Sequence, residues 1–284
     1  MILVTGASGN VGRPLIDALA AAGQSVRAAY HSADRARAAA AVGRETVTVD
    51  LANPETLAPA LDGVRTVFLL GPIGPGHVER ELAVVSAARA AGVERIVKLS
   101  VMRAPDESYS FAKIHRSIEK AIEGSGMAWT FLRPTSFMQN FVNFMAPTIR
   151  AQRAIYTMIP DSPFNHIDAR DVARVAATVL TSDGHAGKAY TLSGPASFTY
   201  RDAAATIGRA TGTPVQVIGI TEADARGAMQ SHGVSDPQID ALLDLDRFYR
   251  DGGADFTTGT VRELTGREPT NFEQFVAEFL DAFR

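Results

Sequence analysis

The chain of 284 residues contains no cysteine and only one tryptophan. The absence of cysteine excludes disulfide bonds, thiolate catalysis and cysteine metal sites, and it fits an intracellular, cytoplasmic location. No apolar run is long enough to span a bilayer, and Met1 leads directly into an apolar segment, so we expect neither a membrane anchor nor a signal peptide. The net charge is −3 without any basic run, which gives no support for a nucleic-acid partner. Nothing in the sequence suggests a metal site.

The N-terminus carries the strongest signal in the sequence. Residues 2–5 form a short apolar run typical of a strand buried on both faces, and residues 11–19 show helical spacing of apolar side chains. Gly6, Gly9 and Gly12 stand between and within these segments. We expect Gly6 to turn the chain off the strand, Gly9 to let the backbone approach a pyrophosphate, and Gly12 to pack the helix on the strand. The pattern predicts a dinucleotide-binding loop.

The first half of the chain alternates between strand and helix patterns. The predicted strands are 25–30, 45–49, 66–70, 95–100 and 129–132, and the predicted helices include 33–41, 78–91 and 108–125. This alternation predicts an α/β Rossmann fold, a doubly wound parallel sheet with helices on both faces.

The pattern loosens after Pro134. The predicted elements here are a helix over 137–149, a strand over 165–168, a helix over 171–180, strands over 189–192 and 215–218, a capped helix from 199 to about 211, and a C-terminal helix capped by Asn271. We expect residues 1–134, with 165–193 returning to them, to form the NAD(P)-binding domain. Residues 135–164 and 194–284 then form a smaller, mainly helical substrate lobe over the cofactor cleft.

The end of the second predicted strand indicates which cofactor binds. Folds that prefer NAD usually place an acid there, but this corner carries His31, Ser32 and Arg35, which can meet a 2′-phosphate. Asp34 lies in the first turn of the following helix, where the helix dipole favours an acid. We therefore expect NADP(H), with NAD(H) as the alternative. The competing interpretation of Arg35 is a solvated helix face.

The ligand of such a sheet lies across the carboxyl ends of the strands. The residues expected to line the cofactor therefore belong to the glycine loop and the strand ends. They are Gly6, Ala7, Ser8, Gly9, Asn10, Val11, Gly12, His31, Ser32, Arg35, Asp50, Leu51, Leu70, Gly71, Pro72, Ile73, Ser100, Pro134, Thr135, Ser136 and Phe137. Asp50 has an alternative as an ordinary turn acid, and Gly71 and Pro134 have one as plain loop residues.

The helix predicted over 108–125 contains two candidates for catalysis. Tyr109 and Lys113 have the Y-x-x-x-K spacing that short-chain dehydrogenases use for a proton donor and a cation that lowers its pKa. Helical periodicity places both on the polar face, whereas His115 flanks the apolar face with Glu119 one turn further on. We therefore rank His115 above Tyr109 and Lys113 as the group near the nicotinamide. The alternative for His115 is a structural histidine paired with Glu119.

Several segments together resemble the NmrA-like, atypical branch of the short-chain dehydrogenase/reductases, especially its quinone oxidoreductases and its azo-dye and triphenylmethane-dye reductases. The resemblance is carried by residues 5–12, 115–119, 125–140, 167–173, 190–194 and 264–269. It implies a cofactor lined by Gly6 to Gly12, the strand-end group at His31, Gly71 to Ile73, and Thr135 to Asn140. It also places Phe111 at the family's tyrosine position, which disfavours a Tyr-Lys mechanism. A hydride passed to a quinone or dye does not require a tyrosine acid, because water or a neighbouring histidine can supply the proton.

Two classes of function follow from these observations. The first is an NADPH-dependent oxidoreductase that transfers hydride from the nicotinamide to a quinone-like or other conjugated electrophilic acceptor. Apolar residues could form a wall for such a ring or belong to the core of the lobe: Phe137, Met138, Phe141, Phe144 and Met145. The second is a non-catalytic NADP(H)-sensing regulatory protein, a class that the resembled family also contains. An epimerase or isoflavone-reductase-like enzyme is a weaker alternative, because such enzymes depend on the Tyr or Lys that this register lacks.

We expect the partner to be a small aromatic or quinone-like substrate, with no direct nucleic-acid partner and no membrane. A homodimer is an open alternative to a monomer.

Overall fold

The computed structural model describes residues 1–284 and contains twelve strands and twelve α-helices. The strands are β1 (Ile2–Val4), β2 (Val26–Tyr30), β3 (Glu45–Thr48), β4 (Thr66–Leu69), β5 (Arg95–Leu99), β6 (Ala128–Pro134), β7 (Ser136–Phe137), β8 (Ala154–Thr157), β9 (Phe164–Ile167), β10 (Lys188–Leu192), β11 (Ser197–Phe198) and β12 (Gln216–Gly219). The helices are α1 (Gly12–Ala21), α2 (Ala33–Ala40), α3 (Leu57–Leu61), α4 (His77–Ala90), α5 (Ser110–Glu123), α6 (Ala146–Gln152), α7 (Ala169–Thr181), α8 (Tyr200–Thr211), α9 (Glu222–Ser231), α10 (Asp236–Arg250), α11 (Thr260–Thr265) and α12 (Phe272–Glu278).

Seven strands form the main sheet, in the order β3-β2-β1-β4-β5-β6-β10. Neighbours from β3 to β6 pair in parallel. The chain adds strands on one side of β1 as far as β3 and on the other side from β4 onward, so the order reverses between β1 and β4. Ligands of doubly wound sheets bind at this kind of switch point. The predicted Rossmann fold is confirmed.

The core of this sheet follows from the apolar strands seen in the sequence. Leu3, Val67 and Ile96 are buried in β1, β4 and β5, and Ile118 of α5 and Val84 of α4 are buried in the same cluster. Strands with near-continuous apolar sequence are stable only when helices cover both faces of the sheet. The core therefore fixes the strand ends, which is what positions the loops beyond them.

The chain divides into two compact units. The first contains residues 1–106, 112–133 and 170–191, and the second contains residues 107–111, 134–169 and 192–284. The first unit resumes at residue 170, later than the predicted return at 165. The reason is that β9 pairs with β7 and β11 in a separate three-stranded sheet instead of joining the main one.

The second unit has its own core, built mainly by α8, α12 and the segment after β7. Phe141, Ile207 and Phe275 are fully buried in it. The capping box predicted at Thr199 is present, since its side chain accepts from the backbone N–H of Asp202 and the Asp202 carboxylate accepts in return. The predicted Asn271 cap of α12 is also confirmed. No helix of the structure is both long enough and apolar enough to cross a bilayer.

The helix predicted over 137–149 is wrong in detail. The structure has β7, a π-helical turn over Phe141–Met145, and only then α6. Pro147 lies in the first turn of α6 and has no backbone N–H, so a continuous α-helix through this point would lose a hydrogen bond and crowd the preceding turn. A wider π turn, which follows a short strand, avoids that conflict. Strand β8 was not predicted at all.

Candidate functional site

The glycine loop between β1 and α1 has the geometry that its three glycines predict. Gly6 has a φ of +64°, and a Cβ there would lie 2.9 Å from Leu70 Cγ. A Cβ on Gly12 would lie 2.2 Å from the carbonyl oxygen of Gly6, so only glycine allows α1 to start so close to the turn. Gly9 is exposed, and a Cβ there would meet only the Gly6 oxygen at 3.2 Å. The turning and packing roles predicted for Gly6 and Gly12 are confirmed.

The same loop fits the pyrophosphate of a dinucleotide. Ser8, Gly9 and Asn10 are exposed just before the first turn of α1, whose leading N–H groups lack partners within the helix. Thr5 holds the loop in place from below: its Oγ1 donates to the Leu70 carbonyl oxygen at 3.0 Å and accepts from the Leu70 N–H at 2.8 Å. The switch point thus presents a fixed, anion-accepting backbone.

A cationic corner borders this loop. The Arg35 guanidinium lies 3.2 Å from Ser8 Oγ, and Ser32 caps α2 by accepting from the Arg35 N–H. Asp34 is paired with Arg37 on the exposed side of α2. Arg35 is exposed, and its contact with Ser8 brings the guanidinium to the edge of the glycine loop. His31 is exposed at the end of β2, with its Nδ1 3.9 Å from Asp50 Oδ1.

A buried polar cluster that the sequence did not reveal lies at the ends of β4 and β5. Glu81 of α4 and Lys98 of β5 are both fully buried, with 2.6 Å between Lys98 Nζ and Glu81 Oε2. The other carboxylate oxygen of Glu81 accepts from the Gly71 N–H at 2.8 Å and lies 3.2 Å from His77 Nε2. Burial alone would raise the pKa of Glu81, but the charge of Lys98 and the contact with His77 lower it to about 2.

His115 is part of this cluster and is held neutral. Its ring is buried, meets the His77 ring edge-on at 5.1 Å between centroids, and leaves Nδ1 without a hydrogen bond. Burial, reinforced by the charge of Lys98, lowers the pKa of His115 well below its ordinary value. A neutral imidazole donates or accepts hydrogen bonds but is not an acid at neutral pH.

Glu119 is not the partner of His115, so that part of the sequence interpretation is wrong. The Glu119 carboxylate is fully buried and accepts two hydrogen bonds from Arg133, at 2.9 and 2.8 Å. It also accepts from Ser100 Oγ at 2.7 Å and from Arg116. Arg133 and Arg116 are stronger partners for a buried carboxylate than a neutral imidazole. This network fixes Ser100, which was predicted to line the cofactor, at the end of β5.

Tyr109 and Lys113 do not share the polar face that periodicity gave them. Helix α5 begins at Ser110, so Tyr109 precedes it and the helical spacing does not apply. Tyr109 is only 2% exposed and stacks on Phe248 at 4.5 Å between centroids, and burial raises its pKa. Lys113 is exposed, as predicted. A buried phenol with a raised pKa is a poor proton donor.

Within the second unit, buried amides hold the segment after Pro134. Thr135 Oγ1 donates to Asn165 Oδ1 at 3.0 Å, and Asn165 Oδ1 also accepts from the Gly194 N–H. Gln139 is buried and donates to Asp168 Oδ1 at 2.8 Å while accepting from a backbone N–H of α7. Sequence reasoning gave no role to Asn165 or Gln139. They leave Thr135 and its neighbours little conformational freedom.

The proposed apolar wall divides into core and surface. Met138 and Phe141 are fully buried, and Met145 packs against the same core, so for these three the interpretation as core is correct. Phe144 is 72% exposed on the π-helical turn, and Phe137 is half-buried. π-helical turns occur often at functional sites. No three histidine or acidic side chains converge in a way that could hold a metal ion.

The fold and the glycine loop define a Rossmann dinucleotide-binding protein, and comparison with known proteins identifies its family. The model of the NmrA-like family matches residues 1–276, so the chain belongs to that family. The chain is 34% identical to an NAD(P)H azoreductase of Xenophilus azovorans, covering 100% of this chain and 99% of the relative. It is 38% identical to a (4-alkanoyl-5-oxo-2,5-dihydrofuran-3-yl)methyl phosphate reductase of Streptomyces griseus, with the same coverage.

A solved structure supports the same assignment. The NADPH complex of the quinone oxidoreductase QOR2 from Escherichia coli superimposes with a TM-score of 0.89 at 28% identity, covering 99% of this chain and 100% of that one. The resemblance to the NmrA-like family stated from the sequence is confirmed. The prediction of an NAD(P)H-dependent reductase is confirmed as well.

Proposed function

We propose that this chain is an NADPH-dependent reductase that transfers hydride to a quinone-like or other conjugated electrophilic acceptor. The observation that carries the proposal is the glycine loop with Arg35 placed against Ser8, a site for a pyrophosphate beside a site for a 2′-phosphate. Azo compounds, quinones and the unsaturated lactone named for the Streptomyces relative are all conjugated electrophiles. An acceptor of this class suits a site whose residues orient the cofactor and supply little acid–base chemistry.

Residues of the first unit hold the cofactor in this proposal. The glycine loop binds the pyrophosphate, and His31, Ser32 and Arg35 recognise the 2′-phosphate. Asp50 and Leu51 border the adenine, while residues 70–73 and Ser100 lie along the nicotinamide half. The contacts predicted for residues 134–137 and Asn140 stay predictions, as do a cytoplasmic location and a homodimer.

The position of His115 near the nicotinamide stays a prediction, and in this proposal His115 does not supply the proton. Bound NADPH supplies a hydride, and reduction of a carbonyl or quinone also needs one proton. A neutral imidazole could give up a proton only by becoming an imidazolate, which is unfavourable beside the buried carboxylate of Glu81. Water is therefore the proton source in our proposal, and His115 acts as a hydrogen-bonding group.

Fluorescence titration with NADPH and NADH, followed by a simple quinone in the same cuvette, tests this proposal. We expect tighter binding of NADPH and rapid loss of the reduced-nicotinamide signal when the quinone is added. Arg35→Ala should weaken NADPH binding and leave NADH binding unchanged, whereas Arg37→Ala on the same helix should change neither. Tight, redox-selective binding without oxidation would instead favour the NADP(H)-sensing alternative. Failure to bind either nucleotide would refute the assignment of the glycine loop.

A further inference from the structure

We propose that Glu81 and Lys98 form a buried positioning pair that fixes the backbone of Gly71 and so shapes the nicotinamide half of the cofactor site. This inference rests on the proposed function, because Gly71 matters to the reaction only if the loop after β4 contacts the cofactor. It assigns a role to two residues that neither the motifs nor the periodicity of the sequence singled out.

The contacts of the pair connect the ends of two adjacent strands. Glu81 Oε1 accepts from the N–H of Gly71, which follows β4, at 2.8 Å. Lys98 Nζ donates to the carbonyl oxygen of Leu99, the last residue of β5, at 2.8 Å and lies 2.6 Å from Glu81 Oε2. Strands β4 and β5 pair directly, so the ion pair ties their carboxyl ends together below the loops.

The contact between Glu81 and Gly71 is tight. A Cβ on Gly71 would lie 2.9 Å from Glu81 Cγ and 3.0 Å from Glu81 Oε1. Gly71 has an ordinary φ, so glycine is required here by the close approach of Glu81 and not by an unusual backbone conformation. Any movement of the carboxylate is therefore transmitted to the loop backbone.

Stability alone does not account for the pair. Both side chains are completely buried, and removing two charges from water costs several kcal/mol per ion before their attraction offsets it. Apolar residues of similar size at both positions would often be as stable or more stable. What apolar residues cannot supply is an acceptor for the Gly71 N–H, and an unsatisfied buried donor leaves the loop free to move.

Two double variants separate positioning from packing. Glu81→Met/Lys98→Met removes both charges and the acceptor, whereas Glu81→Gln/Lys98→Met removes both charges but keeps a carbonyl oxygen for Gly71. Hydrogen exchange of the Gly71 amide by NMR reads the backbone directly, without cofactor, and NADPH titration and kcat read the consequence. We expect the Gly71 amide of the Met/Met variant to exchange about tenfold faster than in the wild type. We also expect this variant to bind NADPH about tenfold more weakly. In the Gln/Met variant, the exchange rate of the Gly71 amide and the affinity for NADPH should each stay within about threefold of the wild-type value.

Glu81→Asp provides a second test if the Met/Met variant does not fold. It keeps both charges and shortens the side chain by one methylene, so it should also accelerate exchange at Gly71 and weaken NADPH binding. Wild-type exchange at Gly71 in these variants would overturn the positioning role. Faster exchange with unchanged NADPH affinity and kcat would show that the pair fixes a loop the cofactor does not use. If the wild type binds no NADPH, the proposed function fails, and the exchange comparison still decides whether the pair fixes Gly71.

Discussion

Lowering the pH should destabilise the protein through His166, and the size of the effect follows from its surroundings. His166 is 2% exposed in the second unit, stacked on Phe198 at 4.4 Å and tilted against Phe164 at 4.2 Å between centroids. Its Nδ1 has no hydrogen bond. Burial lowers the pKa of His166 to about 3, although the neighbouring Phe164 backbone opposes the change. The folded protein therefore keeps this ring neutral where an unfolded chain would protonate it.

The sign and magnitude follow from proton linkage. The unfolded state binds more protons than the folded state between pH 6.5 and about 3, so the free energy of unfolding falls as the pH drops through this range. The slope approaches about 1.4 kcal/mol per pH unit for one histidine. Between pH 7.5 and pH 5 the loss amounts to about 2 kcal/mol. A loss of this size is a substantial part of the stability of a typical domain, which is about 10 kcal/mol.

Urea unfolding followed by circular dichroism at several pH values measures this loss. His166→Phe keeps an aromatic ring between Phe164 and Phe198 but cannot titrate. Its free energy of unfolding should therefore fall by about 2 kcal/mol less than that of the wild type between pH 7.5 and pH 5. His232→Gln is the matched control, because it removes an exposed histidine just after α9 instead of the buried one. If the free energy of unfolding of His166→Phe depends on pH as steeply as that of the wild type, the assignment of acid sensitivity to His166 is refuted.

Three further predictions concern the loop, the acceptor and a buried acid. Gly12→Ala should weaken NADPH binding by about a hundredfold or more, measured by fluorescence, because its Cβ would meet the Gly6 oxygen, whereas Gly227→Ala in open space should not. Phe144→Ala should raise KM for a planar quinone about fivefold in steady-state assays without changing NADPH affinity, and the exposed Ile218→Ala should change neither. Burial raises the pKa of Asp246 from its ordinary value of 3.8 to about 6. The free energy of unfolding therefore falls as the pH rises from 3.8 to about 6, because the carboxyl group ionises more readily in the unfolded chain. Asp246→Asn should therefore stabilise the protein by about 1–2 kcal/mol at pH 8, and urea unfolding should show the gain vanishing toward pH 4.

The fold could be predicted from local patterns because its elements are locally determined. The apolar run before Gly6, the capping residues Thr199 and Asn271, and the alternation of strands and helices all agree with the structure. The predictions failed where a neighbouring residue changed the local rule. Tyr109 lies outside the helix whose periodicity was applied to it, and Pro147 converts part of a predicted helix into a π turn.

The candidate site was only partly accessible to such reasoning. The glycine loop could be found because its residues are contiguous in the sequence. The corner at Arg35 could be found because it follows the second strand, which pairs with the first. Lys98 did give a signal, since a lysine within a strand buried on both faces needs a partner. The sequence could not choose between Glu79 and Glu81, because the choice depends on which face of α4 packs over β5, nor could it exclude Glu94 in the loop before β5. In the structure Glu79 and Glu94 are exposed, and Glu81 is the buried partner.

The π-helical turn at Phe141–Met145 has a consequence for how the surface of this lobe could be changed. Such a turn holds one residue more than an α-helical turn, and removing that residue would restore regular winding. Each residue of an α-helix is rotated by about 100° from the last, so a single deletion here would redirect the side chain at 144 and leave the well-packed Phe141 in place. Evolution, or a designer, could thus change which side chain is exposed on this turn by shortening the chain by one codon, a route that point substitutions do not offer.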